Sequence, residues 1–207
     1  MQIYLSPVAN PNKTIYVYKN IFGFVFTPRD CRYFFPFRHI IDNGAYHSYI
    51  NNKPYDINPF LKLLDVDRGR EPDFVVIPDI VAGGLKSLEY SIQSIDKIPK
   101  KFKRYLVVQD GIQPYHIADC FIAKEIDGFF VGGTKEWKLR NYELWCNVAR
   151  SYRLPCHIGR FGNYEKLLMA YKAGADSVDS SNFSQHDSNW NQLLDFYHGI
   201  NPDVNRL

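Results

Sequence analysis

Short apolar runs recur along this chain, and a polar or glycine-containing segment follows each of the clear ones. Runs of this length, rich in β-branched and aromatic residues and bounded by polar ones, predict buried β-strands. The eight predicted strands span residues 2–5, 22–26, 39–41, 74–77, 105–108, 129–131, 156–158 and 177–178. The last five are the clearest, and they set the pattern into which the rest of the chain has to fit.

Segments with helical spacing separate several of these strands. The apolar residues of segment 84–98 fall on one face of a helix, and further helices are predicted at residues 117–123, 136–152, 164–173 and 188–198. Alternation of buried strands with helices predicts an α/β fold with a parallel sheet, and eight strands favour a closed barrel. At 207 residues the chain is short for such a barrel, which typically takes ~250 residues. We therefore expect one compact TIM-like (β/α)8 barrel domain over residues 1–207, with some helices reduced to loops, as in residues 43–72.

The composition excludes several classes of protein. Hydrophobic residues make up 45% of the chain and charged residues 23%, which is typical of a globular protein and not of a disordered one. No apolar run approaches the ~18 residues of a membrane helix, and residues 1–14 lack the pattern of a secretory signal. The four cysteines form no CxxC pair, which disfavours a disulfide framework or a structural zinc site. The sequence predicts a cytoplasmic protein without a metal or other cofactor, and its net charge of +3 is compatible with nucleic acid.

Polar or glycine-containing signatures follow almost every predicted strand. They are Asp42-Asn43-Gly44, Pro78-Asp79, Gln109-Asp110-Gly111, Gly132-Gly133-Thr134, Gly159-Arg160 and Asp179-Ser180-Ser181. The loops after the strands of a (β/α)8 barrel form one face, and that face carries the active site. A single aspartate in this position more often caps the next helix, but several acids and glycine turns on one face favour a pocket. The side chains expected to meet there are those of Asp42, Asp79, Gln109 and Asp179.

Paired carboxylates at a barrel mouth suit chemistry at an anomeric carbon. One carboxylate attacks and holds the sugar covalently, while another moves protons to and from the leaving group. A Mg²⁺ site is the competing interpretation, and it ranks second because the close pair Asp65 and Asp67 lies outside the strand ends. His157 lies within a predicted strand, where a structural role and a site role fit equally well.

At these residues the sequence resembles the tRNA-guanine transglycosylase superfamily. It is most similar to the DNA-acting branch, the 7-deazaguanine DNA transglycosylases of phages and bacterial modification islands, as a compact, phage-like member. The segments that carry the resemblance, in the family's order, are Asp42-Asn43-Gly44-Ala45-Tyr46, Ile77-Pro78-Asp79, Val108-Gln109-Asp110-Gly111, Val131-Gly132-Gly133-Thr134 and Gly174-Ala175-Asp176-Ser177-Val178-Asp179. The strands before residue 39 are matched only from the expected order of strands in the fold. After Gln109, Asp110-Gly111 stands where the tRNA enzymes have a Gly-Gly pair.

The resemblance implies a base-exchange glycosyltransferase that replaces guanine in DNA with a 7-deazaguanine such as 7-cyano-7-deazaguanine. It implies that Asp179 is the nucleophile and that Asp42 transfers a proton or positions groups near the scissile bond. Asp79 would read the donor edge of the purine, in agreement with the carboxylate's capacity to accept N–H donors. The other implied base contacts are Asn43, Gly44, Gln109, the backbone of Gly132 and Gly133, and an aromatic ring from Tyr46 or Phe161.

The choice of polymer and of acceptor stays open at this point. The tRNA enzymes carry a C-terminal zinc subdomain with clustered Cys and His ligands, and the short tail after Asp179 has no such cluster. This difference favours DNA, and the same exchange on tRNA and a nucleoside or base glycosidase are the alternatives. A barrel that only binds nucleic acid is disfavoured, because acids at its mouth would repel phosphates.

Basic residues that follow strand ends are the predicted phosphate contacts, since they lie on the face of the active site. They are Lys135, Lys138, Arg140 and Arg160. Arg29, Arg32 and Arg38 fit either a stacking surface or a buried aromatic patch, since they are interleaved with Tyr33, Phe34, Phe35 and Phe37. The basic run at residues 97–104 precedes a strand and is expected on the opposite face. A base inside a duplex cannot reach a barrel pocket, so the substrate nucleotide must be flipped out or single-stranded.

Overall fold

The computed structural model describes residues 1–7, 11–29, 37–67, 69–118 and 125–200. Within these ranges the strands are β1 (Gln2–Leu5), β2 (Gly23–Phe26), β3 (His39–Ile41), β4 (Val75–Val76), β5 (Arg104–Val108), β6 (Gly128–Val131), β7 (Cys156–Ile158) and β8 (Ser177–Ser180). Each strand pairs in parallel with the next, and β8 pairs with β1 to close the barrel. The predicted compact (β/α)8 barrel is confirmed, with strand ends shifted by one or two residues.

Helices of very different length connect the strands. Those in the described ranges are α1 (Pro11–Tyr18), α2 (Ala45–Ile50), α3 (Asn58–Leu64), α4 (Leu85–Ser94), α5 (Pro114–Ala118), α6 (Lys135–Ser151), α7 (Tyr164–Ala173), α8 (Asn182–Gln185) and α9 (Asp187–Ile200). None of these helices is long and apolar enough to cross a membrane. Residues 119–123 of one predicted helix lie outside the described residues.

The expectation of a loop over residues 43–72 was wrong, because α2 and α3 lie within it. Helix α3 has a proline in its first turn, where the missing N–H costs no hydrogen bond. Its apolar residues Phe60, Leu63 and Leu64 recur at helical spacing and are buried against the barrel. Packing of this apolar face therefore stabilises the helix, although the asparagine and proline residues of the segment are typical of a loop.

Alternation along the strands divides the apolar core into two layers. The outward side chains of the strands pack with the helices in one large cluster. The inward side chains form a separate cluster inside the barrel, made of Tyr4, Val25, Ile40, Phe74, Val76, Tyr105, Val107 and Phe130. The interior is thus a filled aromatic and aliphatic core, as expected for a barrel of eight strands.

Glycines on neighbouring strands make room for the large rings of this inner layer. A Cβ atom on Gly128 would lie 2.6 Å from the ring of Tyr105, and one on Gly159 would lie 2.6 Å from the ring of Phe130. Both distances are too short for real atoms, so any side chain here would displace a ring. The small size of the barrel therefore requires glycine at these positions.

We predict that Gly128→Ala destabilises the protein by about 1–3 kcal/mol, because the added methyl group overpacks the ring of Tyr105. Gly199→Ala is the matched control, since a Cβ atom there meets nothing within 4 Å. In helix α9 the control should leave stability unchanged or raise it by about 0.5–1 kcal/mol. Urea unfolding of the two variants measures the difference, and equal stabilities would refute this account of the interior.

Candidate active site

The carboxyl ends of the strands bring the predicted acidic residues to one mouth of the barrel. Asp42 directly follows β3, Asp79 follows β4, and Asp179 projects from β8. The charges of Asp79 and Asp179 both raise the pKa of Asp42, so the three carboxylates lie close enough to interact. Asp176 lies at the other end of β8, where its side chain accepts a hydrogen bond from the N–H of Cys156 at 2.8 Å. Of these two aspartates, only Asp179 therefore lies at the mouth with Asp42 and Asp79.

Asp179 is fixed through one of its two carboxylate oxygens. Oδ1 accepts hydrogen bonds from Nε2 of His157 at 2.9 Å and from the N–H of Arg160 at 3.1 Å. Among the described residues no donor reaches Oδ2, and the side chain is 14% exposed. Asp179 thus presents one held oxygen and one free oxygen to the mouth.

His157 is fully buried beneath Asp179. The sequence left its role open between a structural one and one in the site. Its second nitrogen, Nδ1, lies 2.8 Å from the hydroxyl of Ser177. The ring also stacks on Phe130, with 4.7 Å between the centroids. Because both nitrogens and a ring face have partners, the imidazole cannot rotate freely, and it positions the carboxylate above it.

Asp42 lies beside the start of helix α2, and its Oδ1 accepts a hydrogen bond from the N–H of Gly44 at 2.7 Å. Gly44 adopts a left-handed conformation with φ of 81°, which places this N–H toward the aspartate. Burial is the largest cause that raises the pKa of Asp42, and the neighbouring acids add to it, giving about 7. Asp42 can therefore both give and take a proton near neutral pH.

Asp79 is buried in a network of amide groups. Its two oxygens accept hydrogen bonds from Nδ2 of Asn43 at 2.8 Å and from Nε2 of Gln109 at 3.1 Å. Burial raises the pKa of Asp79 to about 6 despite these bonds, which lower it. Helix α4 begins after Gly84 without a side-chain cap, so Asp79 is not the N-cap of that helix. The common structural role for an aspartate after a strand is thereby excluded.

Gln109 is fully buried, and its side chain is engaged by the protein itself. Besides the carboxylate of Asp79, the carbonyl oxygen of Ile80 lies 3.0 Å and the hydroxyl oxygen of Ser87 lies 2.6 Å from its Nε2, so three acceptors surround the two N–H groups of this amide. Its Oε1 accepts from the N–H of Ala82 at 2.6 Å. Gln109 therefore holds Asp79 in place, and both ends of its amide contact groups of the protein.

Of the two glycines after β6, only Gly133 contacts another residue of the site. The N–H of Gly132 donates to the carbonyl of Val108 at 2.9 Å and continues the sheet, so it is not available to a ligand. Gly133 has a φ of 74°, and its carbonyl accepts a hydrogen bond from the guanidinium of Arg160 at 3.0 Å. A Cβ atom at Gly133 would lie 2.4 Å from Oδ2 of Asp110, so only glycine fits the turn.

Of the two aromatic residues considered for base stacking, the structure brings only Tyr46 to the surface of the mouth. Tyr46 is 40% exposed, whereas Phe161 is 1% exposed and packs against Tyr142. The guanidinium of Arg160 lies over the ring of Tyr46, 3.5 Å from its centroid. A planar cationic group thus already stacks on the face that a base would use.

The predicted phosphate contacts separate into different environments. Lys135, Lys138 and Arg160 line a cavity of about 350 Å³ beside the mouth, and Lys166 of helix α7 joins them. Lys166 was not predicted, because it follows no strand end. Lys138 is buried rather than exposed, and its Nζ donates a hydrogen bond to the carbonyl of Gly159. Arg140 is exposed on α6 and lies outside the lining of this cavity.

The other predicted basic and acidic groups lie elsewhere. Arg29 contacts Nδ1 of His47 at 3.1 Å near the mouth, whereas Arg38 pairs with Asp73 at 3.4 Å at the opposite end of the barrel. Arg38 is therefore not part of a surface at the mouth, and Arg32 with residues 33–36 lies outside the described residues. In the part of the chain that the structure describes, no group of three or more His, Cys, Asp or Glu residues could hold a metal ion.

Comparisons with known proteins do not assign the site to a family. No protein-family model matches the chain, and no curated protein matches it significantly.

We predict that the free energy of unfolding falls as the pH rises from about 4 to 7. Asp42 has a folded pKa of about 7, above its ordinary value of 3.8, so the folded state retains a proton that the unfolded chain loses. Asp79, with a pKa of about 6, contributes in the same direction. Asp42→Asn should therefore reduce the effect to the contribution of Asp79, and raise the stability at pH 7.5, relative to pH 4, by something on the order of 2–4 kcal/mol.

Denaturant unfolding across this pH range measures the effect. Asp195→Asn is the control, because Asp195 is an exposed carboxyl group on helix α9 and should follow the wild-type curve. Parallel pH curves for Asp42→Asn and the wild type would show that Asp42 is ionised in the folded state throughout.

Proposed function

We propose that this protein is a base-exchange glycosyltransferase, which replaces guanine in DNA with a 7-deazaguanine derivative through a covalent aspartyl-glycosyl intermediate. The observation that carries the proposal is the pairing of two differently prepared carboxylates in one barrel mouth. Asp179 is held through one oxygen with the other free, and Asp42 has a pKa near 7. These are the two properties that a nucleophile and a proton-transfer group need in double displacement at a sugar carbon.

In the first half of the reaction, the free Oδ2 of Asp179 attacks C1′ of the target nucleotide. The C1′–oxygen bond forms as the C1′–N9 bond breaks, and the bonding pair leaves on the guanine. Asp42, when protonated, supplies the proton that neutralises the departing base. His157 and the N–H of Arg160 keep Oδ1 in place, so that the attacking oxygen is presented in one orientation.

In the second half, a nitrogen of the incoming 7-deazaguanine attacks C1′ from the opposite face. Asp42, now ionised, accepts the proton that this nitrogen loses, and the carboxylate of Asp179 is released. Two inversions at C1′ give net retention. A pKa near 7 suits Asp42 to both halves, because it is close to equally stable in its two protonation states at neutral pH.

Recognition of the base is assigned to Asp79 and to Tyr46. A guanine-like base offers N–H donors, which a buried carboxylate accepts, and Asp79 is fixed for this purpose by Asn43 and Gln109. Tyr46 offers an exposed ring at the mouth for stacking, once Arg160 moves aside. The nucleotide would enter flipped out of a duplex or within a single strand, because the mouth cannot accommodate stacked base pairs.

The proposal is tested by incubating the protein with labelled guanine or 7-cyano-7-deazaguanine and with DNA or tRNA. Label should enter DNA, whereas label in tRNA alone would move the same chemistry to RNA. Release of free guanine without incorporation would indicate a glycosidase, in which water replaces the incoming base. Absence of reaction with either polymer would refute the assignment.

Asp179→Ala should abolish exchange and the covalent adduct, because the attacking oxygen is lost, while circular dichroism and the unfolding midpoint change little. Denaturing gels of protein with labelled polymer detect the adduct. Asp176→Asn is the comparison and should retain exchange, since Asp176 lies just before the same strand, at the other end of the barrel. If the Asp179→Ala variant exchanges bases at the wild-type rate, Asp179 is not the nucleophile.

Asp79→Asn should weaken the binding of guanine-type bases roughly ten- to a hundredfold, because one acceptor oxygen becomes a donor NH₂ in a buried network. Formation of the glycosyl-enzyme should remain detectable at saturating substrate, since Asp179 is intact. Titration with 7-deazaguanines measures the affinity, and a wild-type value would remove Asp79 from base recognition.

A further inference from the structure

A second concave site adjoins the catalytic mouth. It is the cavity of about 350 Å³ between α2, the first turns of α6, the loop after β7 and helix α7. Arg160 belongs to both sites, since its backbone N–H holds Asp179 and its guanidinium lines the cavity. A ligand that fills the cavity would therefore lie directly beside the proposed scissile nucleotide.

The charge in this cavity has one sign. Its cationic lining residues are Lys135, Lys138, Arg160 and Lys166, and no described carboxylate lines it. Four cations around one cavity repel each other unless an anion lies between them. In a protein with a net charge of only +3, this concentration of positive charge favours an anionic ligand.

Lys138 is the unusual member of this set, because it is only 3% exposed. Its Nζ donates to the carbonyl of Gly159, and once the amine is protonated, its two other N–H donors have no partner among the described residues. Buried ammonium groups ordinarily need an opposite charge. The side chain is therefore prepared for an acceptor that arrives with the ligand.

The remaining walls of the cavity are apolar and aromatic. They include Tyr46, Tyr49 and Leu139, and the volume exceeds what a single inorganic anion fills. This combination fits a phosphate group together with the sugar to which it is attached.

We propose that this cavity binds one phosphate group of the substrate strand, next to the nucleotide in the mouth, and that Lys138 takes up a proton when the phosphate enters. The identity of the ligand as a nucleic-acid phosphate rests on the proposed function. The anion site itself rests on the cavity and on its four cationic side chains.

The proton uptake follows from the charges that face Lys138. The pKa of Lys138 is lowered to about 7, mainly by burial and in addition by the positive charges of Arg160 and Lys166. Asp179 and Asp110 act in the opposite direction, and Lys135 lies on the same helix at the cavity's edge. An anion among these cations stabilises the charged amine, so the pKa of Lys138 rises on binding.

Sulfate is the probe for this site, because it remains a dianion across the pH range used. Isothermal titration of the full chain with sulfate at pH 6 to 9 should show an affinity that falls as the pH rises above 7. Titrations in buffers of different ionisation enthalpy should show a proton taken up from the buffer. Weak, pH-independent sulfate binding in the wild type would overturn the proposal.

Three variants separate the site from general charge. Lys138→Met should weaken sulfate binding roughly ten- to a hundredfold and abolish the pH dependence. Lys166→Met should weaken binding but preserve the pH dependence, and it covers the case in which Lys138→Met fails to fold. Lys172→Met is the control of equal net charge, since Lys172 is exposed on α7 outside the cavity. An equal loss of sulfate affinity in all three variants would show that only the net charge of the protein matters, and it would refute the site.

Single-stranded oligonucleotides with one neutral methylphosphonate linkage identify the phosphate. Replacement at one linkage beside the target guanine should weaken binding to the wild type but not to Lys138→Met. Free phosphate that competes with sulfate while every methylphosphonate strand binds normally would assign the cavity to a small phosphate and overturn the strand assignment. Failure of base exchange with the sulfate and methylphosphonate results intact would refute only the proposed function.

Discussion

The shortness of the strands is the constraint on which the rest of this structure depends. Strands of two to five residues contribute only one or two inward side chains each, so the interior holds little more than one aromatic layer. Tyr105 and Phe130 fill that layer because Gly128 and Gly159 leave room beside them. The next inward positions of β3, β5 and β8 toward the carboxyl ends are Asp42, Gln109 and Asp179, which are polar and belong to the candidate active site.

His157 joins the aromatic layer to the carboxylates. Its ring packs on Phe130 and Phe74, and its two nitrogens contact the side chains of Ser177 and Asp179. A fully buried imidazole is tolerated because both nitrogens have partners. The packing of the interior thereby determines where Asp179, the proposed nucleophile, points, because the histidine that holds it is part of the core.

Sequence pattern predicts position better than it predicts partners. Strand ends alone were sufficient to bring Asp42 and Asp179 to one mouth, because parallel strands in a barrel all point the same way. The amide network around Asp79 was not predictable, since its members come from loops far apart in sequence and Gln109 turns inward to hold the acid. Lys166 gave no signal either, because only the packing of α7 against α6 brings it to the cavity.

Arg160 lies at the border between the acidic mouth and the cationic cavity, and it couples the two. Its φ of 54° is unusual for a residue with a side chain, and its contacts with Asp179, Gly133 and Tyr46 hold it there. Its charge lowers the pKa of Asp42 and also that of Lys138. Displacement of the guanidinium toward an anion would therefore raise the pKa of Asp42 and uncover the ring of Tyr46 in the same movement. If Asp42 is the proton donor and Tyr46 the stacking surface, as proposed, one side chain restrains both groups.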